Sequence, residues 1–252
     1  MATDGMDGRC VLVTGGGSGI GEACAVRFAE QGAAVVVVDR NTEGAQRVRD
    51  RITRSGGVAT AFTAEVTDYE QCEAAVACAV ETFGGLHYAA NIAGISGPIL
   101  PIDEFPLEDW REVLSVNLDG VFYSMRAELR HMLTQGGGVI VNMGSIFSVA
   151  SRAAYPAYTA AKHGVLGLTR SAAIDYATRG VRVNAVGPAV IDTPLLEANA
   201  DEETKKVLKA FTPADRFGAP IEVANLVVWL CSDDASFVNG GFYPVDGGFT
   251  AW

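Results

Sequence analysis

The chain of 252 residues is predicted to fold as one α/β domain, with a parallel sheet covered by helices on both faces. Three observations predict this class. Short β-branched runs alternate with longer runs of helical periodicity. Early short runs, such as AVVVVD, are apolar on both faces, as strands between two helical layers are. No long Pro/Ser-rich or charge-rich break divides the chain into two domains.

The predicted elements follow from these runs. Strands are expected at Cys10–Thr14, Ala34–Asp39, Val58–Thr63, Leu86–Ala90, Val139–Met143, Val181–Val186 and Phe242–Val245. Helices are expected at Gly19–Gln31, Thr42–Ser55, Asp68–Phe83, Leu107–Thr134, Tyr155–Thr178 and Ile221–Cys231. Residues 1–8 form a polar tail, and residues 95–106 and 187–220 lack periodicity. Because long loops in compact domains tend to bind ligands, we expect 187–220 to be a substrate-binding lid.

Composition disfavours several kinds of partner. The chain has 30 Asp and Glu against 19 Lys and Arg, a net charge of −11, whereas nucleic acids and anionic membranes bind clustered basic residues. No apolar run approaches the ~20 residues that cross a bilayer, and the first residues lack the order of a signal peptide. Five cysteines without CxxC spacing and three scattered histidines indicate neither disulfides nor a metal site. We therefore expect a cytoplasmic protein.

A glycine-rich turn, VLVTGGGSGIGEA, joins the first predicted strand to the first helix. Gly15, Gly19 and Gly21 let the backbone turn sharply and approach a pyrophosphate, which the free N–H groups of the helix N-terminus attract. The next strand ends at Asp39, at the spacing where an acidic residue accepts hydrogen bonds from an adenine ribose. The alternative is a turn that only packs a helix on the sheet, but the position of Asp39 favours a dinucleotide site.

Asp39 also predicts which dinucleotide binds. A 2'-phosphate ~4 Å from a carboxylate would cost on the order of 4 kcal/mol at an effective dielectric constant near ~20. NAD(H) is therefore expected in preference to NADP(H). Arg40 would offset part of this repulsion, but we interpret it as an exposed residue that lies over the adenine.

The stretch AYTAAKHG places Tyr158 four residues before Lys162, on one face of the predicted helix. An ammonium near the phenol, together with a positively charged nicotinamide ring, would lower the pKa of the tyrosine from ~10 toward neutrality. The pair would then form a general acid/base for a carbonyl or an alcohol. Most isolated Tyr/Lys pairs are a packing tyrosine beside a solvated lysine, but the glycine-rich turn favours the catalytic interpretation.

Together these motifs resemble the short-chain dehydrogenase/reductase family over nearly the whole chain. The family pattern TGxxxGIG is matched by residues 14–21, and its YxxxK pattern by Tyr158 and Lys162. Ser145 in NMGSI precedes this tyrosine at the family's spacing, and Asn117 in SVNLDG matches the family's helix-borne asparagine. A turn serine and a surface asparagine are the alternatives for these last two positions.

The resemblance implies a Rossmann-type, doubly wound sheet of about seven strands in the order 3-2-1-4-5-6-7. It implies reversible hydride transfer between a nicotinamide and a carbonyl carbon. Tyr158 would move the proton, Ser145 would orient the substrate oxygen, Lys162 would bind the nicotinamide ribose, and Asn117 would support a water relay to Lys162. Family members are usually homotetramers, so the two longest helices are expected to form subunit contacts.

The resemblance also implies the cofactor contacts. Besides Tyr158 and Lys162, they are expected at Gly15, Ser18, Gly19, Ile20, Gly21, Asp39, Arg40, Glu65, Val66, Asn91, Ala93, Gly94, Pro188, Ala189, Ile191 and Thr193. Three positions depart from the family pattern. Ile92 replaces a polar residue, Glu65 an aspartate and Ala189 a glycine, and none of these changes affects the acid/base residues.

The substrate is expected to be a hydrophobic or cyclic ketone or secondary alcohol, because the side chains near the catalytic positions are mostly apolar. The expected pocket residues are Ile95, Ser145, Ile146, Phe147, Tyr155, Val190, Leu195 and Leu196. For each apolar side chain among them, an ordinary place in the core is the alternative.

Two other functions stay open. A 3-oxoacyl-(acyl-carrier-protein) reductase would share these motifs, but such enzymes commonly carry an arginine where Ile174 stands, and the net charge would repel an acidic carrier protein. A non-catalytic NAD-binding scaffold would not need the complete set of catalytic residues. A small-molecule alcohol dehydrogenase or ketone reductase is therefore favoured.

Overall fold

Seven parallel strands form one sheet in the order β3-β2-β1-β4-β5-β6-β7 in the computed structural model, which describes residues 5–210 and 212–251. The strands are β1 Cys10–Thr14, β2 Ala34–Asp39, β3 Ala59–Thr63, β4 Tyr88–Asn91, β5 Gly138–Met143, β6 Val181–Pro188 and β7 Phe242–Val245. The helices are α1 Gly19–Glu30, α2 Thr42–Arg54, α3 Tyr69–Phe83, α4 Leu107–Leu114, α5 Gly120–Gln135, α6 Pro156–Tyr176, α7 Pro194–Asn199, α8 Glu202–Ala210 and α9 Pro220–Cys231. The predicted fold class, sheet order and single domain are confirmed.

Each face of the sheet is buried by its own layer of helices. In β1, Val11 and Val13 point to the layer that contains α1, α2 and α9, whereas Cys10 and Leu12 point to the layer of α3, α5 and α6. This alternation is the two-residue period of a strand, and it explains why the strands read as continuous apolar runs.

The order of the strands opens a crevice at one edge of the sheet. The chain leaves β1 toward β2 on one side, and β4 lies on the other side of β1. The loops that follow β1 and β4 therefore run in opposite directions at the carboxyl ends of the strands. In open α/β sheets, ligands bind at this point.

The structure differs from the sequence prediction in three places. The helix predicted over Leu107–Thr134 is divided by a π-helical segment, Ser115–Asp119, whose wider turn alters the direction of its side chains. Residues 187–220, predicted to be a lid without regular structure, contain the end of β6 and the short helices α7 and α8; residue 211 lies outside the described part. Met6, predicted to lie in the polar tail, is buried and its N–H donates to Gln31 O, while residues 1–4 are outside the described part.

No helix within residues 5–210 and 212–251 has the length and apolar character needed to cross a bilayer.

Candidate active site

A cleft of about 450 Å³ lies at the carboxyl edge of the sheet, where the loops after β1 and β4 diverge. Its volume is in the range of small-molecule and cofactor sites. Its lining comes from the glycine-rich loop, the ends of β2, β4 and β5, the π-helical segment, α6 and α7. The residues are Gly15, Ser18, Gly19, Ile20, Gly21, Val38, Asp39, Arg40, Ala64, Glu65, Val66, Ile92, Ala93, Gly94, Ile95, Val116, Asn117, Met143, Tyr158, Thr193, Pro194, Leu195 and Ala198.

The glycine-rich loop is shaped so that side chains would obstruct it. Gly15 has a φ of 65°, and a Cβ on it would lie 2.8 Å from the Cα of Ala93. A Cβ on Gly21 would overlap the carbonyl oxygen of Gly15. Backbone N–H groups at the start of α1 are thus left open to the cleft, an arrangement that fits a pyrophosphate.

Asp39, the last residue of β2, is held at one end of the cleft by two backbone amides. Its Oδ2 accepts a hydrogen bond of 2.8 Å from Gly17 N, and its Oδ1 accepts one of 2.8 Å from Asn41 N. Each carboxylate oxygen retains lone pairs for a further donor. Val38, Ala64 and Val66 line the same end of the cleft and supply an apolar wall.

Three further residues that were predicted to contact the cofactor line the cleft. Arg40 is exposed at its rim, and Glu65 and Ser18 belong to its lining. Thr193, at the start of α7, approaches the glycine-rich loop from above: a Cβ on Gly19 would lie 3.4 Å from the Cγ2 of Thr193. The N-terminus of α7 therefore contacts the glycine-rich loop.

Tyr158 reaches the other end of the cleft from the first turn of α6. Pro156 begins this helix, where the missing N–H of proline costs no hydrogen bond. An interaction with the Ser145 side chain opposes the effect of burial on the pKa of the Tyr158 phenol, which places the two side chains close together. Ser145 is itself fixed, because its Oγ accepts from Phe147 N and its N–H donates to the Ser148 hydroxyl.

Lys162 and Asn117 lie behind the tyrosine and are buried. The Lys162 Nζ is 5.5 Å from the centroid of the Tyr158 ring and donates to the carbonyl oxygen of Met143 at 2.8 Å. Asn117, in the π-helical segment, binds the backbone of Ile95 twice: its Nδ2 donates to the carbonyl oxygen at 2.8 Å, and its Oδ1 accepts from the N–H at 2.9 Å. π-Helical turns of this kind recur at functional sites because they redirect one side chain.

Gly94 brings these two residues close to the cleft. A Cβ on Gly94 would lie 2.7 Å from the Oδ1 of Asn117 and 3.7 Å from the Nζ of Lys162. The absence of a side chain there keeps the ammonium and the amide near the cleft wall.

The protein alone does not lower the pKa of Tyr158, so the expected lowering depends on the nicotinamide ring that the prediction also invoked. Burial raises the pKa of the phenol and outweighs the opposing hydrogen bond from Ser145. Burial also lowers the pKa of the Lys162 ammonium to about 8. Because desolvation penalises every charged form, any lowering of the tyrosine pKa requires the additional positive charge that a bound nicotinamide would provide.

Asn91, predicted to contact the cofactor, lies beneath the cleft in the structure. It is buried at the end of β4, and its Nδ2 donates to the Glu128 Oε2 and to the Asn142 Oδ1, both at 3.1 Å. Asn91 and Asn142 are neighbours on β4 and β5, so this bond joins the two strands at the centre of the sheet. The bond does not need a polar residue at position 92, where this chain has an isoleucine.

Three residues that were predicted to contact the cofactor, Pro188, Ala189 and Ile191, do not belong to the lining of the main cleft. Pro188 is the last residue of β6, Ile191 is buried in the core, and Ala189 and Val190 line a separate cavity of about 60 Å³. Ile191 pairs with Gly218 in an isolated parallel bridge, which turns its side chain into the core. Thr193, which was also predicted to contact the cofactor, does line the main cleft.

Ile95 and Leu195 are the predicted substrate-pocket residues that line the cleft. Ile146 and Phe147 are buried beside it, and the Phe147 ring packs edge-on against Tyr158 at 6.2 Å between centroids. Tyr155 packs on Phe147, with 5.4 Å between the ring centroids. Leu196 belongs to α7, where its N–H donates to the Thr193 hydroxyl.

Several residues of the site were missed at the level of sequence. Val116 and Met143 line the cleft, and the Met143 carbonyl also holds Lys162. The hydroxyl of Thr14 accepts hydrogen bonds from the N–H groups of Ile92 and Ala93, so it joins the loops after β1 and β4. Thr14 and Met143 end predicted strands. The contact of Met143 with Lys162 uses a backbone carbonyl, which every residue type has, so the sequence does not reveal it.

Within the described residues, no group of three or more His, Cys, Asp or Glu side chains is arranged to hold a metal ion.

Known proteins share this architecture. Residues 15–250 match a family model described as "Enoyl-(Acyl carrier protein) reductase". The chain is 48% identical over 243 residues to the cyclohexanol dehydrogenase of Acinetobacter sp. (strain SE19), covering 96% of this chain and 95% of that protein. It is 42% identical over 243 residues to the cis-4-hydroxycyclohexanecarboxylate dehydrogenase of Sinomonas cyclohexanicum, covering 96% and 97%.

A solved structure agrees with the fold. The crystal structure of levodione reductase superposes with a TM-score of 0.93 at 38% identity, and covers 97% of this chain and 98% of that one. Similarity of this extent in sequence and structure, together with the convergence of Ser145, Tyr158 and Lys162 beside a glycine-rich loop, shows that the chain belongs to the short-chain dehydrogenase/reductase family.

Proposed function

We propose that this protein is an NAD(H)-dependent oxidoreductase that interconverts a secondary alcohol and a ketone on a hydrophobic, cyclic small molecule. The observation that carries the proposal is one cleft with an acid/base tyrosine at one end and a ribose-binding carboxylate at the other. The relatives at 48% and 42% identity are named for alcohols on a six-membered carbon ring, which supports the same class of substrate.

A side chain at Gly15 or Gly21 would collide with neighbouring backbone atoms, so these glycines allow the loop to stay compact. A compact loop at the start of α1 fits a nicotinamide dinucleotide, whose pyrophosphate would bind the backbone N–H groups there. Gly15, Ser18 and Gly19 would hold the pyrophosphate, Asp39 the adenine ribose, and Val66 the adenine. When bound, the nicotinamide accepts or supplies the hydride of the reaction.

Tyr158 would exchange a proton with the substrate oxygen at its phenolic oxygen. Ser145 would donate a hydrogen bond to the same substrate oxygen and so fix it beside the phenol, as their convergence supports. In oxidation the phenolate takes the hydroxyl proton, and in reduction the phenol returns one.

Lys162 would act on Tyr158 as a neighbouring cation and would also donate to the nicotinamide ribose. Asn117 holds the backbone of Ile95 and lies within the cleft lining, where a water bound at this backbone would connect Lys162 to solvent. Protein contacts hold both side chains in place for these roles: Lys162 donates to the carbonyl oxygen of Met143, and Asn117 donates to that of Ile95.

The substrate end of the cleft is apolar. Ile95, Val116, Met143 and Leu195 line it, and Phe147 packs behind the tyrosine. A saturated or partly saturated ring would bury its carbon atoms against these side chains while its oxygen meets Tyr158.

Asp39 supports NAD(H) rather than NADP(H), since its carboxylate is fixed where a 2'-phosphate would lie. Asp39→Asn removes the charge and keeps an acceptor oxygen for Gly17 N. We expect the ratio of kcat/KM for NADP+ to that for NAD+ to rise about tenfold or more. Steady-state kinetics with both cofactors tests this, and an unchanged ratio would show that Asp39 does not set the preference.

The layer of α4, α5 and α6 supports assembly as a homotetramer. Leu107, Phe122 and Ile174 are 65%, 47% and 80% exposed, so this layer presents large apolar side chains to solvent in the single chain. The five cysteines, all unpaired, support a reducing compartment such as the cytoplasm.

A screen of purified protein with NAD+ and NADP+ against cyclohexanol, substituted cyclohexanols, an open-chain alcohol and a 3-hydroxyacyl thioester tests the proposal. We expect turnover of ring alcohols with NAD+. Turnover confined to the thioester would support the acyl-carrier-protein ketoreductase instead. Cofactor binding by calorimetry without turnover of any alcohol would support a non-catalytic scaffold.

A further inference from the structure

Two arginines of α2 are held by one glutamate of α1. Arg47 binds Glu22 through both oxygens, with Nη1 to Oε1 at 3.0 Å and Nη2 to Oε2 at 2.7 Å, and Arg51 Nη1 donates to the same Oε1 at 2.9 Å. The Glu22 side chain is only 16% exposed, whereas those of Arg47 and Arg51 are 55% and 56% exposed. Bidentate pairs with this geometry are the stronger kind of ion pair.

The ionisation of Glu22 at neutral pH follows from these contacts. Burial by itself would raise the pKa of the carboxyl, but the hydrogen bonds from Arg47 and Arg51 outweigh it and hold the pKa below its usual value. One negative charge is thus shared between two positive ones.

This cluster lies directly behind the residue that positions Asp39. Arg47 Nη2 donates to the carbonyl oxygen of Gly17 at 2.7 Å, while the N–H of Gly17 donates to the Asp39 Oδ2 at 2.8 Å. The guanidinium and the carboxylate therefore bind the two polar groups of one glycine. A phosphate next to Asp39 would be within the reach of an arginine side chain released from Glu22.

We infer that Glu22 is a specificity-determining residue, which withholds Arg47 from a 2'-phosphate by pairing with both of its η nitrogens. The inference rests on the proposed use of NAD(H) and on Asp39 at the adenine ribose. Arg40 is exposed and lines the cleft in the native protein. Discrimination against NADP(H) would arise from the negative charge of Asp39 and from the positive charge of Arg47 that Glu22 neutralises.

The test is a double-mutant cycle on cofactor preference. The ratio of kcat/KM for NADP+ to that for NAD+ is measured with one ring alcohol for the native protein, Glu22→Gln, Arg47→Gln and the double variant. We expect Glu22→Gln to raise the ratio about fivefold at low ionic strength, the effect of one guanidinium at ~8–10 Å under partial screening. In the double variant the ratio should return to near the native value.

Glu30→Gln is the matched control, because Glu30 lies on the same helix and pairs with Arg27 at 3.1 Å, away from the loop. It should leave the ratio unchanged. If Glu22→Gln does not fold, Glu22→Ala carries the same test, since it also removes the carboxylate that pairs with Arg47.

The outcomes separate this inference from the proposed function. A native preference for NADP+ would overturn the proposed cofactor, and the inference with it. A native preference for NAD+ with an unchanged ratio in Glu22→Gln would overturn the inference alone. A gain that persists in full in the double variant would also overturn it, because the released Arg47 would not be its source.

Discussion

Burial shifts the pKa values of Tyr158 and Lys162, the proposed acid/base pair. The pKa of Tyr158 is raised and that of Lys162 is lowered to about 8, both because the surroundings exclude water. At neutral pH the Tyr158 phenol therefore keeps its proton, and Lys162, with a pKa of about 8, is still mostly an ammonium. A site of this kind would couple the ionisation of the tyrosine to binding of the oxidised nicotinamide.

A second buried ionisable side chain lies outside the cleft. Glu128 of α5 is buried, and its Oε2 accepts from Asn91 while, within the described part of the chain, its Oε1 has no partner. Burial raises the pKa of this carboxyl to about 8 and outweighs the hydrogen bond from Asn91. Glu128 is thus protonated in the folded protein at neutral pH.

The raised pKa of Glu128 predicts a pH-dependent stability. Below the unfolded pKa of ~4.3 the carboxyl is protonated in both states. Between that value and about 8 the folded state alone keeps the proton, so its contribution to the free energy of unfolding falls by up to ~1.4 kcal/mol per pH unit as pH rises. Glu128→Gln cannot ionise, so we expect it to become increasingly more stable than the native protein from pH 5 to pH 8.

Denaturant unfolding at pH 5, 6.5 and 8 measures this difference. Glu73→Gln is a suitable control, because Glu73 is an exposed carboxyl paired with Arg130. Parallel pH profiles for the native protein and Glu128→Gln would show that Glu128 ionises normally in the fold.

At the scale of elements, the strands and most helices were predictable, because strands buried on both faces of the sheet have continuous apolar sequences. β1, β2 and β7 have the predicted bounds, and the others differ by a few residues. The glycine-rich loop and the Tyr158–Lys162 spacing were equally visible, since both depend on local backbone geometry.

Other features depend on tertiary contacts and were not predictable. The π-helical segment inserts one residue into a turn without changing the apolar periodicity, so the predicted helix passed through it. α8 buries none of its residues, and α7 has only six residues, so neither helix carries the long apolar stripe of a core helix. Asn91 was assigned by resemblance, and only its bonds to Glu128 and Asn142 reveal its structural place.

The two lid helices should be the least stable elements of the domain. α8 buries no residue, whereas α9 buries six, including Val223 and Val227. Amides that lack such packing open at low free-energy cost. We expect hydrogen exchange by mass spectrometry to be faster in α8 than in α9, and exchange over residues 193–198 to slow on addition of NADH, because Thr193 and Leu195 line the cleft.

α9 is an internal reference for this experiment, because it buries six residues in the core layer that also contains α1. Equal protection of α8 and α9 in the free protein, or no effect of NADH on residues 193–198, would contradict a lid role.

At the scale of the whole molecule, the exposed apolar side chains of the α4–α6 layer predict the assembly. Ile174 lies on α6 and is 80% exposed in the single chain. A glutamate there would place a charge in the proposed subunit interface, where desolvation would cost several kcal/mol. We expect Ile174→Glu to convert the tetramer to dimers or monomers, as measured by size-exclusion chromatography with light scattering.

Val58→Glu is the control for this substitution. Val58 is 56% exposed and lies just before the edge strand β3, away from the α4–α6 layer. A native protein that elutes as a monomer, or an Ile174→Glu variant that keeps the native mass, would contradict an interface on this layer.

The central claim concerns one phenolic oxygen, and Tyr158→Phe removes it while keeping the ring that packs on Phe147. The direct measurement is the rate of NADH formation from cyclohexanol, with the dissociation constant of NADH measured in parallel. We expect turnover to fall about 1,000-fold or more with NADH affinity within about twofold. Tyr176→Phe, on the same helix α6, should retain native activity. Turnover by Tyr158→Phe at a rate close to that of the native protein would contradict the assignment of Tyr158 as the acid/base.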